Sequence, residues 1–313
     1  MNILNEVRVF APATVANVAV GFDILGFAIH GPGDEVVLRR VQTPGLRIST
    51  ITGTGEKQLP LAAERNTAGF AALSLLEHLG KSDLGLEMEI HKKMPFGSGL
   101  GSSAASAAAG AFAANAILGS PLSKEELLPF AVAGEEIADG AYHADNVGPS
   151  LLGGILFIRD NQSLDVRTLP VPEELHAAVV YPHVEILTKD AREVLSNQLS
   201  LHQHIEQNGN LGALLIGFYE SDYDLISRSL LDVIIEPQRS QLIPHFADVK
   251  KAALENGALG ASISGAGPSV FALCKGPANA KIVAEKMQQI FQQNGIACNA
   301  YASPINTVGA IQM

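Results

Sequence analysis

Between Leu86 and Leu118 the chain passes from an alternating stretch, through a glycine-rich turn, into an alanine-rich one, an order that few folds accommodate. Leu86-Glu87-Met88-Glu89-Ile90-His91 alternates apolar and polar residues as a half-buried strand does. Lys93-Met94-Pro95-Phe96-Gly97-Ser98-Gly99-Leu100-Gly101-Ser102-Ser103-Ala104-Ala105-Ser106 follows. From Ser102 to Leu118 the residues are those of a helix, rich in Ala and opened by Ser where a cap is expected. The predicted order is strand, proline, glycine loop, helix. Glycines at alternate positions allow positive-φ turns and leave no side chain in the way of a bulky ligand. The N–H groups of the helix's first turn, backed by the positive end of its dipole, then face the loop, a geometry that suits phosphate. The hydroxyls of Ser102 and Ser103 stand where they can meet phosphate oxygens or Mg²⁺. No Gly-Lys-Ser/Thr follows the glycines, so this is not a Walker A loop. In a dinucleotide fingerprint the third glycine would come one residue later.

At 313 residues the chain exceeds the ~250–300 that a single core usually holds, and two domains are expected. A hydrophobic content of 47% with 17% charged residues fits a packed enzyme and excludes wholesale disorder. The net charge of −11 argues against a nucleic-acid partner, which would require a basic stripe. It also means that any positive potential for phosphate must be built locally. Cys274 and Cys298 have neither a disulfide-framework nor a metal-site spacing. Glu6 and Arg8 interrupt what would be a signal-peptide core. The most apolar long run, Ala104 to Leu118, is shorter than the ~20 residues of a membrane span. A cytoplasmic protein with no membrane partner is expected.

Other segments carry candidate chemistry. Val7–Phe10 reads as a strand leading into Ala11–Gly26, where Thr14, Asn17 and Asp23 lie among apolar neighbours. These either cap a turn marked by Gly21 and Gly26 or face a cleft and hold a ligand's hydroxyl or ammonium. Strands are predicted over 35–40 and 46–52, and a helix from about Asn66, itself a candidate cap, to Leu79. Ser123 and Glu126 form a capping box for a helix that runs into Glu135-Glu136. Residues 140–150 read as a dense polar loop in which His143, Asp145 and Asn146 suggest a site, before a strand at 154–158. Residues 161–172 read as the domain junction. Strand 177–181, a helix opening at Thr188 and helical segments over 199–231 follow. His202 and His204, two apart, point to different helix faces and make a poor metal pair. Arg192 and Arg239 offer planar forks that suit a carboxylate. A second glycine-rich turn lies in 260–273, and a helix (278–293) and a strand (298–303) close the chain.

The run Pro-x-Gly-x-Gly-Leu-Gly-Ser-Ser-Ala-Ala-Ser at 95–106 resembles the phosphate-binding motif of the GHMP kinases. The blocks at 12–26 (Pro-Ala-Thr-x-Ala-Asn-x-x-x-Gly-Phe-Asp-x-x-Gly), 143–147 (His-x-Asp-Asn-Val) and 188–192 (Thr-Lys-x-Ala-Arg), together with Arg239, resemble the members of that family that phosphorylate homoserine. The turn at 260–273 resembles the family's third motif, which packs on the phosphate loop. The resemblance implies an α+β, two-domain fold. A domain like ribosomal protein S5 domain 2 would cover 1–165 and a ferredoxin-like domain 166–313, with the active site between them. It implies ATP and Mg²⁺ as cofactors, L-homoserine as substrate, and transfer of the γ-phosphoryl group to the substrate's hydroxyl.

By the same resemblance ATP is held by Asn66, Pro95, Phe96, Gly97, Ser98, Gly99, Leu100, Gly101, Ser102, Ser103 and Ser106, and the metal by Ser103 and Glu135. The amino acid is held by Asn17, Asp23, His143, Asp145, Thr188, Arg192, Arg239 and Gly265, while Asn146, Ser103 and Glu135 serve catalysis. In mevalonate kinases an aspartate near this place is thought to act as base. Here Asn146 stands instead, so direct attack is expected, with His143 as base the alternative. A mevalonate- or shikimate-type kinase would share the loop but have no use for two arginines and an acidic ammonium pocket. Ser103 and Glu135 speak against a non-catalytic nucleotide-binding regulator. A homodimer is left open.

Overall fold

The computed structural model describes residues 3–55, 58–140 and 142–313, apart from the side chains of Ala138, Asp139 and Thr188. The first sheet opens with β1 (Glu6–Ala16) and β2 (Leu25–Arg40), which run antiparallel. Both are longer than the alternation at their outer ends suggests: from Ala11 to Ala16 every residue of β1 is buried, so no polar face marks the strand there. β3 (Leu46–Thr52) is parallel to β4 (Leu86–His91), and β4 pairs with β2. β5 (Ile155–Asp160) pairs with the first residues of β2, and β6 (Asp165–Leu169) pairs with β5.

Four helices belong to this half of the chain: α1 (Thr67–His78), α2 (Ser102–Ile117), α3 (Lys124–Asp139) and α4 (Val147–Leu152). α2 is buried almost throughout, and its alanines let neighbouring helices come close. A Cβ on Gly110 of α2 would lie 2.2 Å from the carbonyl oxygen of Ala68 in α1, and one on Gly134 of α3 would lie 2.6 Å from that of Thr67. The capping box of Ser123 and Glu126 opens α3 as expected. α2 departs from expectation. Its N-cap is Gly101, at φ 67°, and no side chain caps it; the Ser102 hydroxyl instead donates to the Met94 carbonyl at 3.3 Å.

The second sheet holds β7 (Leu175–Pro182), β8 (Gly260–Ile263), β9 (Val270–Lys275) and β10 (Cys298–Pro304), antiparallel throughout, in the order β10-β7-β9-β8. With its helices this is the ferredoxin-like arrangement. Between β7 and β8 come α5 (Thr188–Glu193), α6 (Leu201–Glu220), α7 (Tyr223–Ser229), α8 (Glu236–Arg239) and α9 (Phe246–Glu255); α10 (Pro277–Gln293) precedes β10. The sheets share one continuous core, in which Phe27 of β2 meets Phe271 of β9 edge-on with ring centroids 6.0 Å apart.

Two segments differ from their sequence reading. The stretch 161–172, read as a junction, contains β6, so the chain leaves the first sheet after Leu169. The last residues return to it: Asn306 exchanges backbone hydrogen bonds with Ala28 and Gly154, and β11 (Ile311–Gln312) pairs with β1. The second half of the polar loop 140–150 is helical, as α4. Among the described residues no helix is long and apolar enough to cross a membrane.

Candidate active site

The glycine loop enters α2 with Gly97, Gly99 and Gly101 at φ 60°, 71° and 67°, values that cost a residue with a Cβ roughly 1–2 kcal/mol. Space adds to the requirement. A Cβ on Gly99 would lie 2.5 Å from the Ser264 carbonyl oxygen; one on Gly101 would lie 2.2 Å from Thr14 Oγ1 and 2.9 Å from Asn146 Oδ1. The protein's own packing, not only a ligand, therefore demands these glycines. The second glycine turn holds the loop in place: the Ser264 hydroxyl donates to the Gly99 carbonyl at 2.6 Å, and the Ser269 hydroxyl to that of Ser98 at 2.5 Å.

Beneath the loop lies a buried ion pair that sequence reasoning missed. The Lys92 ammonium pairs with Asp34 and donates to the Ser102 carbonyl at 2.6 Å and to Ser106 Oγ at 2.8 Å. Asp34 in turn accepts from the Ser106 hydroxyl and from the Lys93 N–H, both at 2.9 Å. A buried charge survives only when paired and hydrogen-bonded. The available signal was an aspartate and a lysine flanking the segments 35–40 and 86–91 that read as strands.

Three residues expected at ATP are committed elsewhere. Ser106 belongs to the Lys92 network. Leu100 is fully buried, and its carbonyl accepts the Thr14 N–H at 3.0 Å. The Asn66 side chain caps α1, accepting from the N–H groups of Ala68 and Gly69 at 3.1 and 3.3 Å and donating to the Pro60 carbonyl at 3.2 Å.

The loop forms one wall of a cleft of about 1050 Å³, open mouth included, whose other walls come from residues 143–146, α5 and α8. Phe96 to Gly99 and Gly101 to Ser103 line it. A second, more open cleft lies past Phe96, between 53–55, 92–95 and 181–185; Pro95 borders that one. At the mouth of α2 the Ser103 hydroxyl donates to Glu135 Oε1 at 2.6 Å. Asn146 Oδ1 accepts from the Thr14 hydroxyl at 2.7 Å, which leaves the amide's Nδ2 as a donor.

Opposite the loop the cleft is built from side chains. Asn17, Val18, Ala19 and Asp23 all have positive φ (72°, 41°, 60° and 61°), and such strain persists only where surroundings over-determine it. Asn17 Oδ1 accepts the Asp23 N–H at 3.0 Å, closing the turn, and both residues also line the cleft. Asn17 Nδ2 donates to the Gly265 carbonyl at 2.9 Å. Asp23 accepts both terminal nitrogens of Arg192, at 3.2 and 3.3 Å, and His143 Nδ1 lies 3.8 Å from it. Arg239 is buried; it donates to the carbonyls of Ala191 (2.8 Å) and Gly265 (3.2 Å), and its guanidinium covers the Phe22 ring 4.8 Å from the centroid. Arg192 covers the same ring at 5.8 Å. Burial, and then the neighbouring Arg192 charge, lowers the Arg239 pKa to about 10, so it remains charged at neutral pH. Asp145 is buried at the cleft wall, and Gly265 lines it. The side chain of Thr188 lies outside the described residues.

Phe22 and Asp232 were missed. Asp232 accepts the N–H groups of Ile234, Ile235 and Glu236 and so shapes the turn into α8 that presents Arg239.

A two-sheet α+β protein with a glycine loop at a helix mouth facing a side-chain-lined cleft has the architecture found among small-molecule kinases. Residues 66–154 match the GHMP kinases N terminal domain and residues 206–293 the GHMP kinases C terminal domain. The chain belongs to the GHMP kinase family and has its two-domain fold. It is 47% identical over 318 residues to a homoserine kinase of Chlorobium phaeovibrioides, covering 98% of this chain and 99% of that protein. It is 46% identical over 319 residues to the homoserine kinase of Chlorobium phaeobacteroides, with coverage of 98% and 99%. The crystal structure of homoserine kinase from Cytophaga hutchinsonii, 50% identical, superposes with a TM-score of 0.97 over 100% of this chain and 99% of that one.

Proposed function

We propose that this chain transfers the γ-phosphoryl group of ATP to the side-chain hydroxyl of L-homoserine, giving O-phospho-L-homoserine. The observation that carries the reading is one cleft with a phosphate-type loop on one side and, on the other, Asp23 bridged by Arg192 with Arg239 stacked on the same Phe22 ring. A zwitterion with a hydroxyl fits that charge pattern; mevalonate and shikimate have no ammonium to place on Asp23.

Phosphoryl transfer needs alignment and charge neutralisation more than covalent chemistry. Backbone amides of 97–99 and 101–103 and the Ser103 hydroxyl hold the triphosphate, and the nucleoside extends past Phe96 into the second cleft. Asn66, Leu100 and Ser106 support the loop and helix rather than touch ATP. Arg192 and Arg239 take the α-carboxylate, and Asp23 the α-ammonium. Asn17 and the Gly265 carbonyl fix the pocket floor, and Asp145 and Thr188 complete the pocket.

Ser103 and Glu135 offer an alcohol and a carboxylate oxygen 2.6 Å apart at the helix mouth, a hard-oxygen pair suited to Mg²⁺ beside phosphate oxygens. When bound there, the ion would neutralise phosphate charge. The substrate hydroxyl attacks the γ-phosphorus, the bond from that phosphorus to the bridging oxygen breaks, and the hydroxyl proton passes to the transferred phosphate. Asn146 Nδ2 orients the hydroxyl; an amide does not take its proton. His143 lies beside Asp23, at the ammonium end, so it orients rather than acts as base. We divide the domains after Leu169, with residues 305–313 returning to the first, and place this ATP-consuming enzyme with its two free thiols in the cytoplasm.

ADP release measured over homoserine, mevalonate, shikimate and threonine tests the reading. Turnover on homoserine should exceed that on mevalonate and shikimate by at least about 100-fold in kcat/KM, because an unmatched buried charge costs several kcal/mol, whereas threonine, which carries both charges, differs only in where its hydroxyl lies. Equal turnover on mevalonate, or none on homoserine, overturns it.

A further inference from the structure

Gln207 stands in the middle of α6, buried, and its side-chain amide bonds entirely outside its own helix. Nε2 donates to the Val20 carbonyl at 3.2 Å and to Asp232 Oδ1 at 3.0 Å, and Oε1 accepts the Val233 N–H at 3.0 Å. Val20 lies in the turn between Asn17 and Asp23, and Asp232 shapes the turn into α8 that presents Arg239. One amide, standing outside the cleft itself, therefore joins the segment that carries its carboxylate to the segment that carries its buried guanidinium.

A buried amide needs partners, and that need accounts for some of these bonds. The partners found here point further. Asp232 Oδ1 already accepts the N–H groups of Ile234 and Ile235, so the turn into α8 closes without Gln207. Two other amides of α6 hold the same segment: Gln203 donates to the Val233 carbonyl at 3.4 Å and Asn210 to that of Leu231 at 2.9 Å. Gln207 differs from both in reaching the 17–23 turn as well. There Asn17, Val18 and Ala19 follow one another at φ 72°, 41° and 60°, a left-handed run that residues with a Cβ resist. The bond to the Val20 carbonyl fastens the end of that run.

We infer that Gln207 is a positioning residue for the amino-acid subsite: it holds the strained 17–20 turn against the turn into α8 and so fixes the spacing between Asp23 and Arg239. The inference rests on the homoserine reading of the cleft. On that reading Asp23 takes the ammonium and the two arginines the carboxylate, charges that an α-amino acid carries at a fixed separation, so the segments presenting them must keep a fixed separation too. The Asp23–Arg192 pair cannot set it, because a bound zwitterion engages both partners. Gln207 contacts neither substrate charge, and its bonds persist with the pocket full or empty.

Steady-state kinetics of Gln207→Met test the assignment. Methionine keeps the length and helix preference of glutamine and removes the amide. KM for homoserine should rise about tenfold, the loss expected from two hydrogen bonds of ordinary strength, with kcat and KM for ATP within about twofold. Asn210→Ala is the comparison: it releases the Leu231 carbonyl from the same helix and should leave KM for homoserine within about twofold. Adding Ala19→Gly to Gln207→Met removes one residue's resistance to the left-handed turn and should recover roughly threefold of the loss. An unchanged KM for homoserine in Gln207→Met, an equal rise in both KM values, an equal rise in Asn210→Ala, or no recovery in the double variant refutes the inference. Gln207→Asn, whose amide falls one methylene short of its partners, gives the same reading should the methionine variant not fold. If the unaltered protein leaves homoserine unphosphorylated, the kinase reading falls and this inference with it. A normal Gln207→Met beside an active parent removes this inference alone.

Discussion

The two walls of the cleft recognise charge by different means. The wall proposed for phosphate is backbone: one contiguous segment at positive φ, with neighbouring atoms leaving no room for a Cβ at Gly99 or Gly101. The opposite wall, which the proposed reading gives to the amino acid, is side chains drawn from the turn after β1, the 143–146 loop, α5 and α8, closed by the second glycine turn. A phosphate is nearly symmetric and accepts hydrogen bonds from any suitably curved run of N–H groups. An α-amino acid has two opposite charges at a fixed separation, and only groups placed independently can match both. On the proposed reading the first wall can therefore serve a whole family, whereas the second selects the substrate.

Substitutions should separate the walls. Arg192→Ala has the largest expected effect: a bidentate charged contact contributes roughly 2–3 kcal/mol, so KM for homoserine should rise about 30- to 150-fold with KM for ATP nearly unchanged. An equal rise in both constants would erase the contrast. Gly101→Ala should act on the other wall. It forces a Cβ against Thr14 and Asn146 at a positive φ, and the ~1–2 kcal/mol of strain should raise KM for ATP about tenfold and lower kcat. Homoserine binding measured calorimetrically without nucleotide should shift less than about twofold. The smallest effect is expected at Asn66→Ala. Loss of an N-cap costs about 0.5–2 kcal/mol, so Tm should fall by about 2–6 °C with KM for ATP within about twofold. A large loss of ATP affinity at unchanged Tm would return Asn66 to the phosphate wall.

The buried Lys92–Asp34 pair shows why the loop works in a chain of net charge −11. Its cation anchors the carbonyl of Ser102, the first residue of α2, so the helix mouth is positioned by an internal charge. That charge is already balanced by Asp34, which on the proposed reading leaves the binding of phosphate to the amide dipoles of the loop.

Local patterns sufficed for much of this protein. The bounds of β3 and β4, the start of α2, the capping box of α3 and the run of α10 follow from alternation, propensity and capping, which act within a few residues of chain. The phosphate loop is equally local, because its function lies in consecutive φ angles. Tertiary structure decided what short-range pattern does not encode. It extended β1 through a segment buried on all sides, placed β6 in a stretch of charges and prolines, and turned Asn66, Leu100 and Ser106 away from the cleft. It also brought Asp23 and Arg192, 169 residues apart, into one ion pair. Such partners are chosen by the packing of two sheets against each other, and that packing is a property of the whole chain.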